Sequence, residues 1–194
     1  MKPLFLNPSA WRGYRQPGFP VGSWAVENDL LHALPGAHKV SLVSREVFGD
    51  FEFAVQWRLP RGGNSGILYR VDEALEAPWQ SGPEMQLLDD ARHPDGRVPE
   101  TRCGALYGLY APATVTQCSA EVFNDARVRM RGFLVEHWLN GVCVLRCDLA
   151  SAEFQARVAG SKFREFPAFA RAANGHLVLQ HHGDEAWFRN ARIE

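Results

Sequence analysis

A carboxylate and an amide lie two positions apart in the segment 81–96, at Glu84 and Gln86. In a β-strand, alternate residues share a face, so these two side chains would point together while Met85 and Leu87 point to the opposite face. A carboxylate beside an amide on one strand face needs a partner or water. We therefore expect this face to have a functional role.

The same segment ends in a cluster of acidic residues and a histidine. Asp89, Asp90, His93 and Asp95 follow the strand within a few positions. Such a cluster can supply a general base or hold a divalent metal ion that prefers oxygen ligands. The alternative is a polar strand end whose aspartates form turns, and this interpretation is favoured for Asp95, which precedes Gly96.

An asparagine and an arginine lie on the strand that precedes this segment. Gly62 and Gly63 lead into Asn64, and they indicate a tight turn rather than a phosphate loop because no Gly-Lys-Ser/Thr motif follows. Strand alternation places Arg70 on the same face as Asn64. Arg70 could bind a sugar hydroxyl or keto oxygen, or it could pair with Glu84.

Two adjacent histidines follow a later strand. Neighbouring residues of a strand point to opposite faces, so at most one of His181 and His182 reaches any single site. His182 shares its parity with Gln180 and is the candidate, whereas His181 is expected to have a surface or packing role. The histidine spacing of a zinc site is absent, which argues against zinc.

Two aromatic residues lie outside the strongly patterned strands. Trp79 stands in the loop 77–81, where it has less reason to be buried than the tryptophans of the strands, and Tyr107 is in a similar position. Exposed aromatic rings beside carboxylates are typical of carbohydrate recognition, because sugar rings present apolar C–H faces to them.

The elements that must position these residues are short strands. The clearest alternation of apolar and polar residues spans 51–59, and segments 39–44 and 104–110 are further candidates among about a dozen. Many short strands without alternating helices predict an all-β fold, a sandwich of two antiparallel sheets. The concave face of a curved sheet would then form a groove for a ligand.

Turn and cap signals separate these strands. Asn140–Gly141 is typical of a two-residue hairpin turn, and Asn28–Asp29 is a second candidate for one. Only the segment 151–163 has helical character, with Ser151 as the expected N-cap. The sequence therefore predicts at most one or two short helices.

The composition limits the function classes. The chain has 194 residues and a formal net charge of -1, with both signs interspersed, which argues against nucleic-acid binding. No stretch approaches the roughly 20 apolar residues of a membrane helix.

The N-terminal segment of the sequence is too short and proline-rich for the apolar region of a signal peptide. The four cysteines are interpreted as reduced thiols. We expect a cytoplasmic protein without a membrane partner: one domain over 1–194, with residues 1–20 as an N-terminal arm.

Six ordered segments, taken together, resemble the 3-keto-disaccharide hydrolase domain family. The resemblance spans nearly the whole chain, from about Trp24 to Ile193. It implies a concanavalin-like jelly-roll sandwich and activity on sugars oxidised at carbon 3, as a 3-keto-glycoside lyase, hydrolase or 3-keto-2-hydroxyglucal hydratase. The segments are Phe48-Gly49-Asp50-Phe51-Glu52, Gly62-Gly63-Asn64-Ser65-Gly66-Ile67, Gly82-Pro83-Glu84-Met85-Gln86-Leu87-Leu88-Asp89-Asp90, Ala105-Leu106-Tyr107, Glu136-His137-Trp138-Leu139-Asn140-Gly141 and His182-Gly183-Asp184-Glu185-Ala186-Trp187-Phe188-Arg189-Asn190.

This chemistry assigns roles to the candidate residues. A ketone at carbon 3 acidifies the hydrogen at carbon 2, so a base can remove it and the substituent on carbon 1 then leaves; the reaction needs a base, a group that stabilises the enolate and an acid. The hypothesis takes Glu84 or Asp89 as the base and His182 as the acid. The enolate would be held by Arg70 or by a divalent metal ion, for which the candidate ligands are Asp89, Asp90 and His93. The substrate-binding candidates are Arg70, Gln86, Tyr107, Trp79 and Asn64.

Two other classes of function fit the same sandwich. The first is a non-catalytic carbohydrate-binding module, because a fold alone does not fix a function. The second is a structural or partner-binding jelly roll. A small-molecule carbohydrate is the partner expected for the enzyme and for the binding module, and the oligomeric state stays open.

Overall fold

A computed structural model describes residues 2–3, 8–28, 30–36 and 38–194. Thirteen strands and one α-helix make up the regular structure of these residues, together with short 3-10 helices. The strands are β1 (Lys2–Pro3), β2 (Trp11–Gly13), β3 (Trp24–Glu27), β4 (Leu30–Ala33), β5 (Leu42–Phe48), β6 (Phe51–Arg58), β7 (Asn64–Val71), β8 (Glu84–Leu88), β9 (Asn124–Arg131), β10 (Leu134–Leu139), β11 (Val142–Asp148), β12 (Gly175–Leu179) and β13 (Ala186–Ile193). The helix α1 spans Ala152–Ala159, and 3-10 helices cover Pro8–Ala10, Pro78–Gln80, Pro94–Arg97, Pro99–Thr101 and Lys162–Glu165.

The strands form two antiparallel sheets. One has the order β11-β10-β9-β6-β13-β4-β3, with β1 paired to β13, and the other has the order β2-β5-β12-β7-β8. Within the expected N-terminal arm, β2 is the edge strand of the five-stranded sheet, and Trp11 is fully buried. The predicted all-β jelly-roll sandwich of two antiparallel sheets is confirmed, and α1 is the one α-helix among the described residues.

The core lies between the two sheets. Strand β6 alternates buried and half-buried residues along its whole length, with Phe51, Phe53, Val55 and Trp57 facing inward, as its sequence pattern predicts. Burying such large side chains contributes about 1.5–3 kcal/mol each. This packing holds the five-stranded sheet in place.

Strands β7 and β8 are buried on both faces. Ile67 and Met85 face the main core, whereas Leu68 belongs to a separate small cluster with Val43 and Val178 on the opposite face of the sheet. Loops must therefore cover the outer face of these strands, and those loops create the space in which the site lies.

The turn and helix signals agree with the structure. Asn140 and Gly141 join β10 to β11 with positive φ angles of 46° and 82°, as a type I′ hairpin turn requires. The Ser151 hydroxyl accepts a hydrogen bond from the backbone N–H of Phe154 and caps α1. The expected turn at Asn28–Asp29 includes Asp29, which lies outside the described residues.

Two predicted strands differ from the structure. The segment 104–110 is a loop that makes only isolated bridges, because Gly104 and Gly108 have positive φ angles of 84° and 70° that break an extended run. The strand expected over 39–44 begins only at Leu42, since the Val40 carbonyl instead accepts a hydrogen bond from the indole of Trp24.

All four cysteines are free thiols. None of the helices among the described residues has the length and apolar character needed to cross a membrane.

Candidate active site

A cavity of about 490 Å³ lies on the outer face of the five-stranded sheet. Its volume falls in the range of small-molecule sites, about 300–1,000 Å³. Side chains from β7, β8 and the residues after β12 form its floor, and loops form its walls. The polar and aromatic residues that line it are Tyr14, Lys39, Ser41, Asn64, Glu76, Trp79, Glu84, Gln86, Tyr107, Lys162, Phe163, Gln180, His181 and His182.

Glu84 is the buried carboxylate of this cavity. It begins β8 opposite Leu68 of β7, and only 7% of the residue is exposed. Burial raises the pKa of Glu84 to about 8, because the charged carboxylate loses its water. The Lys162 ammonium and the Gln180 amide favour the charged form and lower the pKa, but their effect is smaller than that of burial. A carboxyl group with such a pKa can exchange a proton near neutral pH, as a general base or acid must.

Gly66 makes room for this carboxylate. A Cβ atom added at Gly66 would lie 2.0 Å from Glu84 Oε1, far inside van der Waals contact. Gly66 pairs with Gln86 in the β7–β8 ladder, so the missing side chain opens the floor of the cavity beside both polar residues.

Three amide side chains surround the carboxylate with unused hydrogen-bonding capacity. Asn64 Oδ1, Gln86 Nε2 and Gln180 Oε1 are buried and have no hydrogen-bond partner within the described residues. All three residues line the cavity. A buried polar atom without a partner costs about 1–3 kcal/mol, so this floor is suited to a ligand that brings its own donors and acceptors.

Aromatic rings and a lysine form one wall of the cavity. The ring of Trp79 packs edge-on against Phe166 with centroids 5.0 Å apart. The Lys162 ammonium lies 4.7 Å from the ring centroid of Tyr107 and 5.5 Å from that of Trp79. This wall offers apolar ring surface next to a positive charge.

The two histidines differ in their surroundings. The imidazole of His182 lines the cavity, is 46% exposed and lies 3.8 Å from the carboxylate of Asp184. Burial lowers the pKa of His182, and Asp184 opposes this shift. His181 is buried, contacts the ring of Trp24 edge-on and is hydrogen bonded to the Leu34 carbonyl, although it also reaches the cavity.

The first two aspartates of the acidic cluster after β8, Asp89 and Asp90, do not line this cavity. Asp89 lies five positions after Glu84, so strand parity turns its side chain away; its carboxylate accepts hydrogen bonds from the backbone N–H groups of Gly62 and Ala91. The Asp90 carboxylate accepts one from the N–H of Cys103. The structure therefore does not bring the Asp89 carboxylate together with Glu84 in the cavity.

The candidate metal ligands do not fit a metal ion. The carboxylates of Asp89 and Asp90 are engaged by backbone N–H groups, and His93 Nδ1 accepts a hydrogen bond from the N–H of Asp95. The His93 ring meets that of His182 edge-on, with ring centroids 6.4 Å apart. In the described part of the chain, no group of three or more His, Cys, Asp or Glu side chains is arranged to hold a metal.

Arg70 also lies outside the cavity, contrary to the parity prediction. The pairing of β7 with β12 shifts register near His176, and Arg70 has a positive φ of 52°. This bulge removes Arg70 from the face of Asn64. Its guanidinium donates to the Gly49 carbonyl at 3.0 Å instead, and no pairing with Glu84 occurs.

Sequence reasoning missed several residues of the site. Gly66 stood within a quoted motif but had no chemistry of its own, and Gln180 was noted only for its parity with His182. Lys39 precedes β5, so the alternation expected over 39–44 does not apply to it, and Lys162 begins a short 3-10 helix, where strand alternation predicts no direction. The structure thus brings together Asn64, Trp79, Glu84, Gln86, Tyr107 and His182 of the predicted set.

The sandwich and its outer-face cavity define a jelly-roll protein of the architecture found in glycosyl hydrolases and galectin-like proteins. A family model described as the 3-keto-α-glucoside-1,2-lyase-like domain matches residues 2–194. The chain belongs to this family, which confirms the family resemblance of the sequence.

Individual relatives agree with the family. The chain is 28% identical to a 3-keto-disaccharide hydrolase of Bacteroides thetaiotaomicron, over 96% of this chain and 74% of the relative. A crystal structure from Parabacteroides distasonis, provisionally assigned as a glycosyl hydrolase, matches with a TM-score of 0.85 and 28% identity, over 96% of this chain and 88% of that one. The carbohydrate-binding module CBM66 of Bacillus subtilis shares the fold, with a TM-score of 0.61 at 12% identity over 97% of both chains.

Proposed function

We propose that this protein cleaves 3-keto-glycosides by removing the proton from carbon 2 and expelling the substituent from carbon 1. The observation that carries the proposal is the buried Glu84 carboxyl, whose pKa is raised to about 8, on a cavity floor of unpartnered amides. Membership of the 3-keto-α-glucoside-1,2-lyase-like family supports this choice of substrate class.

The reaction begins at Glu84. The carboxylate takes the proton from carbon 2, and the electron pair of the C–H bond forms a carbon 2–carbon 3 double bond while the ketone oxygen becomes an enolate. The enolate then re-forms the ketone, and the electron pair of the carbon 2–carbon 3 double bond moves to form a carbon 1–carbon 2 double bond. The bond between carbon 1 and the glycosidic oxygen breaks at the same time, and its electron pair leaves with that oxygen. The leaving oxygen takes a proton, and water can add to the unsaturated sugar in a later step.

The amide side chains would hold the sugar in the correct orientation. Asn64 and Gln86 come from paired strands and flank the carboxylate, so the hydroxyl groups of one sugar ring can satisfy their unpartnered atoms. Trp79 and Tyr107 would contact the apolar C–H face of the sugar. This arrangement fixes the hydrogen at carbon 2 near the base, which is the main requirement for proton abstraction.

His182 is the proposed acid for the leaving oxygen. It lies at the more open side of the cavity, half-exposed and beside Asp184, where a departing group has access to solvent. A lowered pKa makes its imidazolium a stronger acid. A phenolate leaving group does not need such help, so an aryl substrate isolates the step at Glu84.

The direct test uses both anomers of 4-nitrophenyl 3-keto-glucoside. We expect the wild-type protein to release nitrophenol and Glu84→Gln to lower the rate by about 100-fold or more, because the amide cannot accept the proton. Glu165→Gln, a change at an exposed carboxylate, is the matched control and should keep the wild-type rate.

Three outcomes would contradict the proposal. The first is no release from either anomer by the wild-type protein, and sugar binding without turnover would then favour a binding module. The second is equal cleavage of 4-nitrophenyl glucoside, which has no ketone and belongs to ordinary glycosidase chemistry. The third is an undiminished rate in Glu84→Gln.

A further inference from the structure

The proposed reaction places negative charge on the oxygen at carbon 3, so a cationic group near that oxygen would stabilise the transition state. Arg70 lies outside the cavity, and the acidic residues after β8 do not form a metal site. We propose that Lys162 is the catalytic residue that binds this enolate oxygen. The inference rests on the proposed function and adds a residue that the sequence did not indicate.

The charge of Lys162 is held over the cavity and is not neutralised by a neighbour. Its ammonium lies 4.7 Å from the ring centroid of Tyr107, 5.2 Å from that of Phe163 and 5.5 Å from that of Trp79. Within the described residues no carboxylate lies within 4.0 Å of it, whereas many of the arginines form such pairs. Lys162 is therefore available to an anion that enters the cavity.

Lys162 and Glu84 face the same space without touching. They line one cavity, and the ammonium acts on the carboxylate through space, yet the two groups do not form an ion pair. A keto sugar between them would present its carbon 2 hydrogen to Glu84 and its neighbouring ketone oxygen to Lys162. The two groups thus act on adjacent carbons, as proton abstraction next to a carbonyl requires.

The other lysine of the cavity is placed differently. The Lys39 side chain packs against Gly183, where an added Cβ would lie 2.8 Å from its Cε. Its charge acts on His181 and His182 rather than on Glu84. Lys39 therefore lies on the histidine side of the cavity, away from the carbon at which the proton is removed.

The local structure fixes the Lys162 backbone. Ser161 begins the 3-10 helix Lys162–Glu165, and its hydroxyl accepts a hydrogen bond from the N–H of Phe163. Phe163 is buried and stacks on Phe169 with ring centroids 4.1 Å apart. This anchor fixes the backbone from which the exposed Lys162 side chain extends to the cavity.

The test compares Lys162→Met, Lys162→Arg and the control Arg164→Met, an exposed change on the same 3-10 helix. With the aryl 3-keto-glucoside, we expect Lys162→Met to lower kcat by about 100-fold, as for loss of one oxyanion-binding group. Lys162→Arg keeps the charge and should recover part of the rate. Arg164→Met should retain the wild-type rate.

The pH profile separates a catalytic role from a structural one. Because the Lys162 ammonium lowers the pKa of Glu84, its removal should move the rise of kcat/KM to higher pH. Melting temperatures of all variants verify folding. The titratable groups that act electrostatically on Glu84, or on which it acts, are Lys162, Asp95, Tyr69 and Tyr107. The other titratable side chains that line the cavity are Tyr14, Lys39, Glu76, His181 and His182.

The outcomes distinguish the two proposals. An active wild-type protein whose Lys162→Met variant keeps its kcat and its pH profile would overturn the role of Lys162 and leave the proposed function standing. A wild-type protein without activity on either anomer would instead contradict the proposed function itself.

Discussion

Glu84 shows how burial can prepare a common side chain for proton transfer. The carboxyl group lies on the cavity floor with the Gln180 amide and the Lys162 ammonium near it, and loss of water around the charge outweighs both. A pKa near 8 makes its carboxylate a stronger base than an exposed glutamate. The residue therefore combines position and basicity in one group.

This pKa predicts the pH dependence of the reaction. A base must be unprotonated, so kcat/KM for the aryl 3-keto-glucoside should rise about tenfold per pH unit below the pKa of Glu84 and level off above about pH 8. The aryl leaving group removes any need for an acid. A steady-state profile from pH 5 to 9.5 measures this, and a rate that falls between pH 6 and 8 would show that the protonated form is the active one.

Strand parity explains which individual residues could be predicted. Glu84 and Gln86 fall on the cavity face because β8 is regular over its five residues, and the same parity places Met85 and Leu87 in the core. The position of Asp89 follows from the same alternation once β8 is known to end at Leu88. For Lys162, at the start of a short 3-10 helix, no such periodic signal exists.

At the level of elements, the β7–β8 pair builds the site. The ladder sets Gly66 opposite Gln86 and Leu68 opposite Glu84. The Glu84 side chain extends diagonally over Gly66, the position without a side chain. The Glu84 carboxylate lies close to the β7 backbone at Gly66, and any side chain at position 66 would overlap it. Only glycine therefore allows this packing.

Gly66→Ala tests this fit. The added methyl group would displace the Glu84 carboxylate, so we expect kcat/KM to fall more than tenfold and the free energy of unfolding to decrease. Gly18→Ala, where the added Cβ meets no atom within 4 Å, is the control and should change neither quantity appreciably.

A double-mutant cycle identifies the cause of the instability. If the Glu84 side chain is the obstacle, Gly66→Ala should destabilise a Glu84→Ala background much less than the wild-type protein. Equal destabilisation in both backgrounds would mean that the backbone of β7, and not the carboxylate, demands glycine.

The bulge in β7 shows where reasoning from alternation fails. A single register shift opposite β12 moves every later residue of the strand to the other face, and the tertiary pairing that creates it has no local sequence signal. The hairpin at Asn140–Gly141 and the cap at Ser151 were predictable because their determinants are local. The loop at 104–110 had strand-like composition, but left-handed glycines at its bends.

Arg70→Met tests the structural role that the bulge gives this arginine. Its guanidinium donates to the Gly49 carbonyl and lies 3.5 Å from the Asp50 carboxylate, so its loss should lower the free energy of unfolding by about 1–3 kcal/mol. Urea denaturation measures that change. The kcat/KM of the folded variant should stay within about twofold of wild type, and a much larger loss would place Arg70 in the reaction.

At the level of the whole molecule, the sandwich brings distant parts of the chain to one cavity. Lys39 precedes β5, Glu84 begins β8, Lys162 follows α1 and Gln180 follows β12. The sequence predicted the sandwich, and the family resemblance predicted the class of fold, because both depend on many weak signals summed over the chain. The walls of the cavity depend on how loops pack on the sheet, which single positions do not reveal.

The same architecture is shared with a carbohydrate-binding module of Bacillus subtilis, so the fold alone does not fix the function. The cavity of the present chain holds a buried carboxyl group with a raised pKa among unpartnered amides. In the proposed reaction, Glu84 breaks the bond between carbon 2 of the sugar and its hydrogen.

The most direct measurement follows a deuterium label at carbon 2 of a 3-keto-glycoside during turnover. Elimination through Glu84 requires the label to pass to water, so the sugar product should lack deuterium at carbon 2 and the labelled substrate should react more slowly than the unlabelled one. Incubation with Glu84→Gln corrects for spontaneous exchange next to the ketone. A released sugar that keeps its deuterium, formed at the same rate from both substrates, would contradict the account.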